Sequence, residues 1–214
     1  MKKFLLASAL AFSAFSFAQI DFSSTRFGVT AGGNYSRVKN AHNPSGARFA
    51  FQGGVLALIP MGSSNQFYLQ PEVVYYGAGE SGKDKNAKGV KGYDAVYANN
   101  YISVPVSFKG YFSEAESEFF GLIGPRFNFL IDQKVKNESR EIYRTDQLGK
   151  ASSFNFAIGA GLGYSYKRQL ELALKYDFGL SNTYPNLDES KLDPNSSKKK
   201  SEQVISLSLS YIFE

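Results

Sequence analysis

The sequence predicts an all-β protein, an eight-stranded antiparallel up-and-down transmembrane β-barrel preceded by a cleaved signal peptide. Three observations point there. From Glu202 to Phe213 the residues alternate: Ile205, Leu207, Leu209, Tyr211 and Phe213 share one parity, and Ser206, Ser208 and Ser210 the other. Successive side chains of a strand point to opposite faces, so this segment has one apolar wall and one small polar wall. The chain also opens like an export signal, and the connections between its strands alternate between long and short.

Lys2 and Lys3, an apolar stretch from Phe4 to Phe17, and Ala18 before Gln19 give the order of a secretory signal, with cleavage after Ala18. A membrane anchor is the alternative, but this 14-residue stretch falls short of the ~20 residues that a spanning helix needs. Residues 1–18 are therefore read as signal peptide and 19–214 as one barrel domain; removing 18 residues from 214 leaves 196, an ordinary domain size. With no cysteine, neither a lipid-anchored lipoprotein nor disulfide staples are expected. No later run approaches the length of a membrane helix. The formal charge of +5 falls to +3 without Lys2 and Lys3, too small an excess to argue for nucleic acid.

Eight segments have strand character, at approximately 25–36, 48–60, 66–78, 98–112, 118–131, 152–166, 168–182 and 202–213. The first and second are bounded by the polar stretch Arg37 to Ala47 and the turn Met61 to Asn65. In the third, Phe67, Leu69, Val73 and Tyr75 oppose Tyr68, Gln70, Glu72 and Tyr76. In the fourth, Ile102, Val104, Val106, Phe108 and Phe112 oppose Ser103, Ser107, Lys109 and Tyr111. The fifth follows the turn Ser113 to Ser117. The sixth sets Phe154, Phe156, Ile158, Leu162, Tyr164 and Tyr166 against Asn155, Ala157, Gly159, Gly161, Gly163 and Ser165. After a tight reversal at Lys167, the seventh sets Leu170, Leu172, Leu174, Tyr176, Phe178 and Leu180 against Glu171, Lys175 and Asp177. Long polar connections (37–47, 79–97, 132–151 and 183–201) follow the odd strands and short turns follow the even ones, the polarity of long outer loops and short periplasmic turns.

Alternation alone does not say which face is inside, because a soluble lipocalin-like barrel binding a small apolar ligand would alternate equally well. Volume decides. An eight-stranded interior is just wide enough to be filled by side chains, too narrow for five or six large apolar residues per strand. The opposite parity carries Gly28, Gly32, Gly159, Gly161 and Gly163 beside the charges, and small residues suit a crowded lumen. The rows Leu170, Leu172, Leu174, Tyr176, Phe178 and Leu207, Leu209, Tyr211, Phe213 are thus expected to face lipid. Glu72, Lys109, Arg126, Glu171, Lys175 and Asp177 are expected to form a balanced charge network in the lumen, a plug rather than a small-solute pore. Pro71, Pro105 and Pro125 fall inside strands, where each should mark a bulge or a broken pair.

Other chemistries find little support. His42 is the sole histidine and lies in a loop beside Asn43, Pro44 and Ser45, with no spacing that singles out a catalytic set, so the chain is read as non-enzymatic. Asp188, Glu189 and Asp193 fit no calcium-loop template, and no metal or cofactor is expected. Gly159-Ala160-Gly161-Leu162-Gly163 has G-x-G-x-G spacing inside a strand, which is not a dinucleotide fingerprint. Lys198, Lys199 and Lys200 sit among Asn195, Ser196, Ser197 and Ser201, a solvated loop, with contact to acidic lipopolysaccharide headgroups as the sharper alternative.

The strand texts resemble a known family. Phe67-Tyr68-Leu69-Gln70-Pro71-Glu72-Val73-Val74-Tyr75-Tyr76, Tyr101-Ile102-Ser103-Val104-Pro105-Val106, Gly124-Pro125-Arg126-Phe127 and Asp177-Phe178-Gly179-Leu180-Ser181-Asn182 are similar to strands of PorT-like outer-membrane barrels. The resemblance implies an outer-membrane location and makes the prolines at 71 and 105 family features. It implies no reaction and no catalytic residue; some relatives are associated with the type IX secretion apparatus. The expected role is envelope structure, adhesion or docking to an envelope assembly. The expected partners are outer-membrane lipid and lipopolysaccharide, the barrel-assembly machinery through the C-terminal strand, and secretion or other envelope proteins.

Overall fold

The computed structural model describes residues 23–41, 45–62, 65–83, 94–136, 149–187 and 197–213. The signal segment, His42, Asp188, Glu189 and Asp193 lie outside the described residues. Eight strands follow one another: β1 (Arg26–Lys39), β2 (Ser45–Pro60), β3 (Phe67–Lys83), β4 (Asp94–Tyr111), β5 (Glu118–Lys136), β6 (Phe154–Tyr166), β7 (Leu170–Gly179) and β8 (Ser201–Ile212). Each pairs antiparallel with its sequence neighbours, and β8 returns to β1 from Gly28↔Ile212 to Lys39↔Ser201, closing the barrel. Closure pairs the backbone groups that an open edge would expose, a requirement in hydrocarbon, where no water can satisfy them. No helix among the described residues is long and apolar enough to cross a membrane.

The apolar parity points outward and the polar parity inward. Phe27, Val29, Val55, Phe119, Ile158, Leu172 and Ile205 are exposed, whereas Asn34, Gln52, Glu72, Ser103 and Ser206 are buried. A soluble barrel would show the reverse. The interior is layered. At the short-turn end Leu56, Leu58, Tyr68, Tyr111, Phe120, Leu122 and Ile212 pack together; at the long-loop end Val38, Tyr97, Ala151, Tyr184 and Leu187 do; charged and amide side chains lie between.

Two differences from the sequence expectation concern strand length. First, the strands from β2 to β5 are 16 to 19 residues long, whereas ~9–11 tilted residues cross a bilayer. The connections expected at 37–47, 79–97 and 132–151 are therefore partly strand. Above the hydrocarbon no face has to be apolar, so polar residues continue the ladder and read as loop. Second, β7 ends at Gly179, short of the expected 182. The prolines at 71 and 105 mark broken pairs, as expected, and do so without bulges. The β3–β4 ladder lapses between Pro71↔Val106 and Val74↔Ser103, and the β4–β5 ladder between Pro105↔Arg126 and Phe108↔Ile123, each resuming in the same register. Pro125 faces Ile158 in an unbroken β5–β6 register. The register shifts lie elsewhere, between Ala47 and Gln52 and between Asn100 and Tyr101.

Candidate functional site: the lumen and its two mouths

Alternation along β7 aims Glu171, Lys175 and Asp177 into the lumen, and each meets an opposite charge from another strand. Lys109 of β4 pairs with Glu171. Lys175 lies 3.1 Å from Glu72 of β3, and Arg126 of β5 3.1 Å from Asp177. All six are at most 6% exposed. The remaining polar capacity is also engaged: Tyr111 donates to Glu171 at 2.6 Å, Gln70 Nε2 to Glu72 at 2.9 Å, and Tyr76 to Asp177 at 3.4 Å. Aromatic faces complete the cages, with Lys109 Nζ 4.1 Å from the Phe120 ring centroid and the Arg126 guanidinium 4.5 Å from that of Tyr76. Buried charges persist only when paired and hydrogen-bonded in this way.

The glycines of β6 make room for these groups. A Cβ on Gly159 would stand 2.4 Å from Asp177 Oδ1, one on Gly161 2.9 Å from Lys175 Cγ, and one on Gly163 2.3 Å from Phe120 Cζ. On the outside, Leu170, Leu172, Leu174, Tyr176, Phe178, Leu207, Leu209, Tyr211 and Phe213 are 42% to 56% exposed. Tyr176 turns its hydroxyl to Gln203 Oε1 at 2.5 Å.

Arg168 governs the short-turn mouth. It donates to Asn65 O at 2.5 Å in the β2–β3 turn, and to Ser113 O and Ala115 O, both at 3.1 Å, in the β4–β5 turn. It also pairs with Glu118 and lies 3.9 Å from the Tyr111 ring centroid. Beside it opens a vestibule of about 380 Å3 lined by Arg26, Tyr68, Glu114 and Glu116 among others.

The connection after β7 folds back over the long-loop mouth. Thr183 N donates to Lys200 O at 2.7 Å, Ser152 N to Thr183 O at 2.8 Å, and Asn99 Nδ2 to Tyr184 Oη at 3.0 Å. Burial, with the Glu80 and Glu202 carboxylates nearby, holds the Tyr184 phenol well above its ordinary pKa, so it stays neutral. Lys198 and Lys199 are exposed, as a solvated loop requires, but Lys200 corrects that expectation for its own position: it is buried, and its Nζ donates to Leu187 O. Beneath the cap a cavity of about 10 Å3, the room of one water, touches Asn155, Asp177 and Glu202.

A family model described as an outer membrane protein beta-barrel domain matches residues 17–184. The chain belongs to that family. It is an integral outer-membrane protein that spans the bilayer with its strands. No curated protein matches the sequence. Among solved structures, a major outer membrane protein from Thermus thermophilus is 15% identical, with a TM-score of 0.50 over 89% of this chain and 100% of that one. The outer membrane protein OprG from Pseudomonas aeruginosa is 13% identical, with a TM-score of 0.48 over 88% of this chain and 96% of that one. Ail, the attachment invasion locus protein of Yersinia pestis, is 14% identical, with a TM-score of 0.42 over 88% and 98%. At such identities the likeness to the Thermus barrel speaks to fold alone.

For this outer-membrane barrel, inward parity places the six lumen charges from sequence, while Arg168, Glu118, Glu80 and Glu202 escape that reading. Glu118, Glu80 and Glu202 do continue the inward parity of their strands, which is the signal that could have found them. The role of Arg168 has none, because it depends on three turns far apart in the chain meeting at one end.

Proposed function

We propose that this protein is a non-enzymatic outer-membrane barrel with a lumen closed to solutes, serving envelope structure, adhesion or docking through its outer strands and loops. The observation that carries this reading is that one strand, β7, supplies a member of each of three buried ion pairs reaching β3, β4 and β5. Paired charges at that level obstruct a narrow interior and brace its walls together. In planar bilayers the protein is expected to give no stable conductance; a large steady one would reverse the choice between plug and small-solute pore.

In the same reading residues 1–18 are removed on export, residues 19–214 form the mature barrel, and the outward Leu/Phe/Tyr rows meet hydrocarbon. The β8 strand, apolar on alternate residues through Tyr211 and ending beside Phe213, is the segment offered to the barrel-assembly machinery. Lipopolysaccharide surrounds the long-loop end. A place beside the type IX secretion apparatus rests on the PorT-like resemblance alone; recovery of secretion components with the tagged protein from gently solubilised envelopes would support it.

A further inference from the structure

We propose that the outward face of β1 and the segment leading into β8 bind the phosphate groups of an outer-leaflet glycolipid. On β1 the outward row runs Phe27, Val29, Ala31, Gly33, Tyr35 and then changes character to Arg37 and Lys39. Opposite it, β8 runs from Phe213 to Ile205 and then reaches Gln203 and Ser201, so Tyr35 faces Ile205, Arg37 faces Gln203 and Lys39 faces Ser201. The apolar rows span nine positions on both strands, 27–35 and 205–213, matching the ~9–11 residues that cross a bilayer, which puts Arg37 and Lys39 one step above the hydrocarbon, at headgroup depth.

A third cation is brought to the same place. Asn40 takes a left-handed backbone (φ 62°), and its Nδ2 donates to Lys199 O at 3.0 Å, fastening Lys199 beside the end of β1. Arg37, Lys39 and Lys199 are all exposed, and no ion pair to any of them is found among the described residues. Lys134, on the far side of the rim, is by contrast paired with Asp132 at 3.4 Å. The result is a one-sided group of three cations. Beneath it Ala31 faces Gly53 across β1 and β2, and a Cβ on Gly53 would meet only Thr30 O at 3.5 Å. Between that pair and the cations Tyr35 faces Phe49, whose ring covers Gly33 (a Cβ there would stand 2.9 Å from Cζ), so an acyl chain below the headgroup would lie against exposed aromatic faces. Fixed cations at a membrane surface attract anionic headgroups, and Arg and Lys are the natural phosphate donors.

The site rests on the outer-membrane reading, and the experiment separates the two. The full barrel is reconstituted into nanodiscs containing either bisphosphorylated or dephosphorylated lipid A, and the lipid retained is counted by native mass spectrometry. The unmodified protein should prefer the phosphorylated form, and a R37Q/K39Q/K199Q variant should lose that preference at least about tenfold. Salt of about 0.5 M should weaken it as well, while Lys134→Gln should leave it intact. Equal retention by the triple variant, or indifference to the phosphates, overturns the site while insertion itself upholds the barrel reading. Failure to insert and to show heat-shifted migration on a denaturing gel overturns both. Binding of soluble sucrose octasulfate without any lipid preference would reassign the cations to an external polyanion and defeat the lipid proposal.

Discussion

Arg126 and Asp177 show how a single residue bears on this fold. Their ion pair sits under the Tyr76 ring, with Ser103 Oγ accepting a bond from Arg126 at 3.4 Å. Arg126→Gln would leave Asp177 charged and buried, and removing one member of a buried pair destabilises by about 3–5 kcal/mol. Urea unfolding in lipid vesicles should show a loss of that size with no gain in conductance. The double replacement Arg126→Met with Asp177→Leu should recover most of it, since apolar pairs often substitute for buried ionic ones without loss. Gly159→Ala acts on the same pair from β6, the strand between its two members, driving a methyl against Asp177 Oδ1. Overpacking of that kind destabilises by about 1–3 kcal/mol, readable in the same assay; an unchanged midpoint would show that Asp177 can step aside.

The β6–β7 turn states the lesson for an element. Both Lys167 and Arg168 have positive φ, 53° and 55°, the geometry of a tight hairpin turn in which Asn-Gly is favoured. Lys167→Gly should therefore stabilise the barrel by roughly 0.5–1 kcal/mol, by relieving a strained backbone whose exposed side chain makes no ion pair among the described residues. Arg168→Gly relieves the same strain but unfastens the bonds to Asn65, Ser113 and Ala115 and strands Glu118, so it should lower the unfolding midpoint. A stabilising Arg168→Gly would show that the clasp contributes nothing.

For the whole molecule the decisive property is which wall faces out. The sequence contains no cysteine, so a single introduced thiol can be labelled without background. Environment-sensitive labels at Leu172→Cys and Leu207→Cys should report hydrocarbon and be quenched by lipid-borne quenchers. A label at Ser208→Cys, on the buried parity of β8, should be shielded from them. Quenching in the reverse order would overturn the orientation, and with it the closed lumen and the phosphate site.

Period-two alternation, two sets of connection lengths and the volume of an eight-stranded interior were legible in the chain itself, because they depend on local geometry and counting. They determined the strand order, the orientation of the two walls and the identity of the six central charges. Partner choice was not legible: that Lys109 meets Glu171 while Lys175 meets Glu72 depends on strand stagger, which only closure of the barrel fixes. The burial of Lys200 under a returning loop, and the meeting of three turns on Arg168, were likewise decided by tertiary structure. A residue's parity says which way it points, but what it finds there is set by segments distant in the chain, 103 positions away in the case of Arg168 and Asn65.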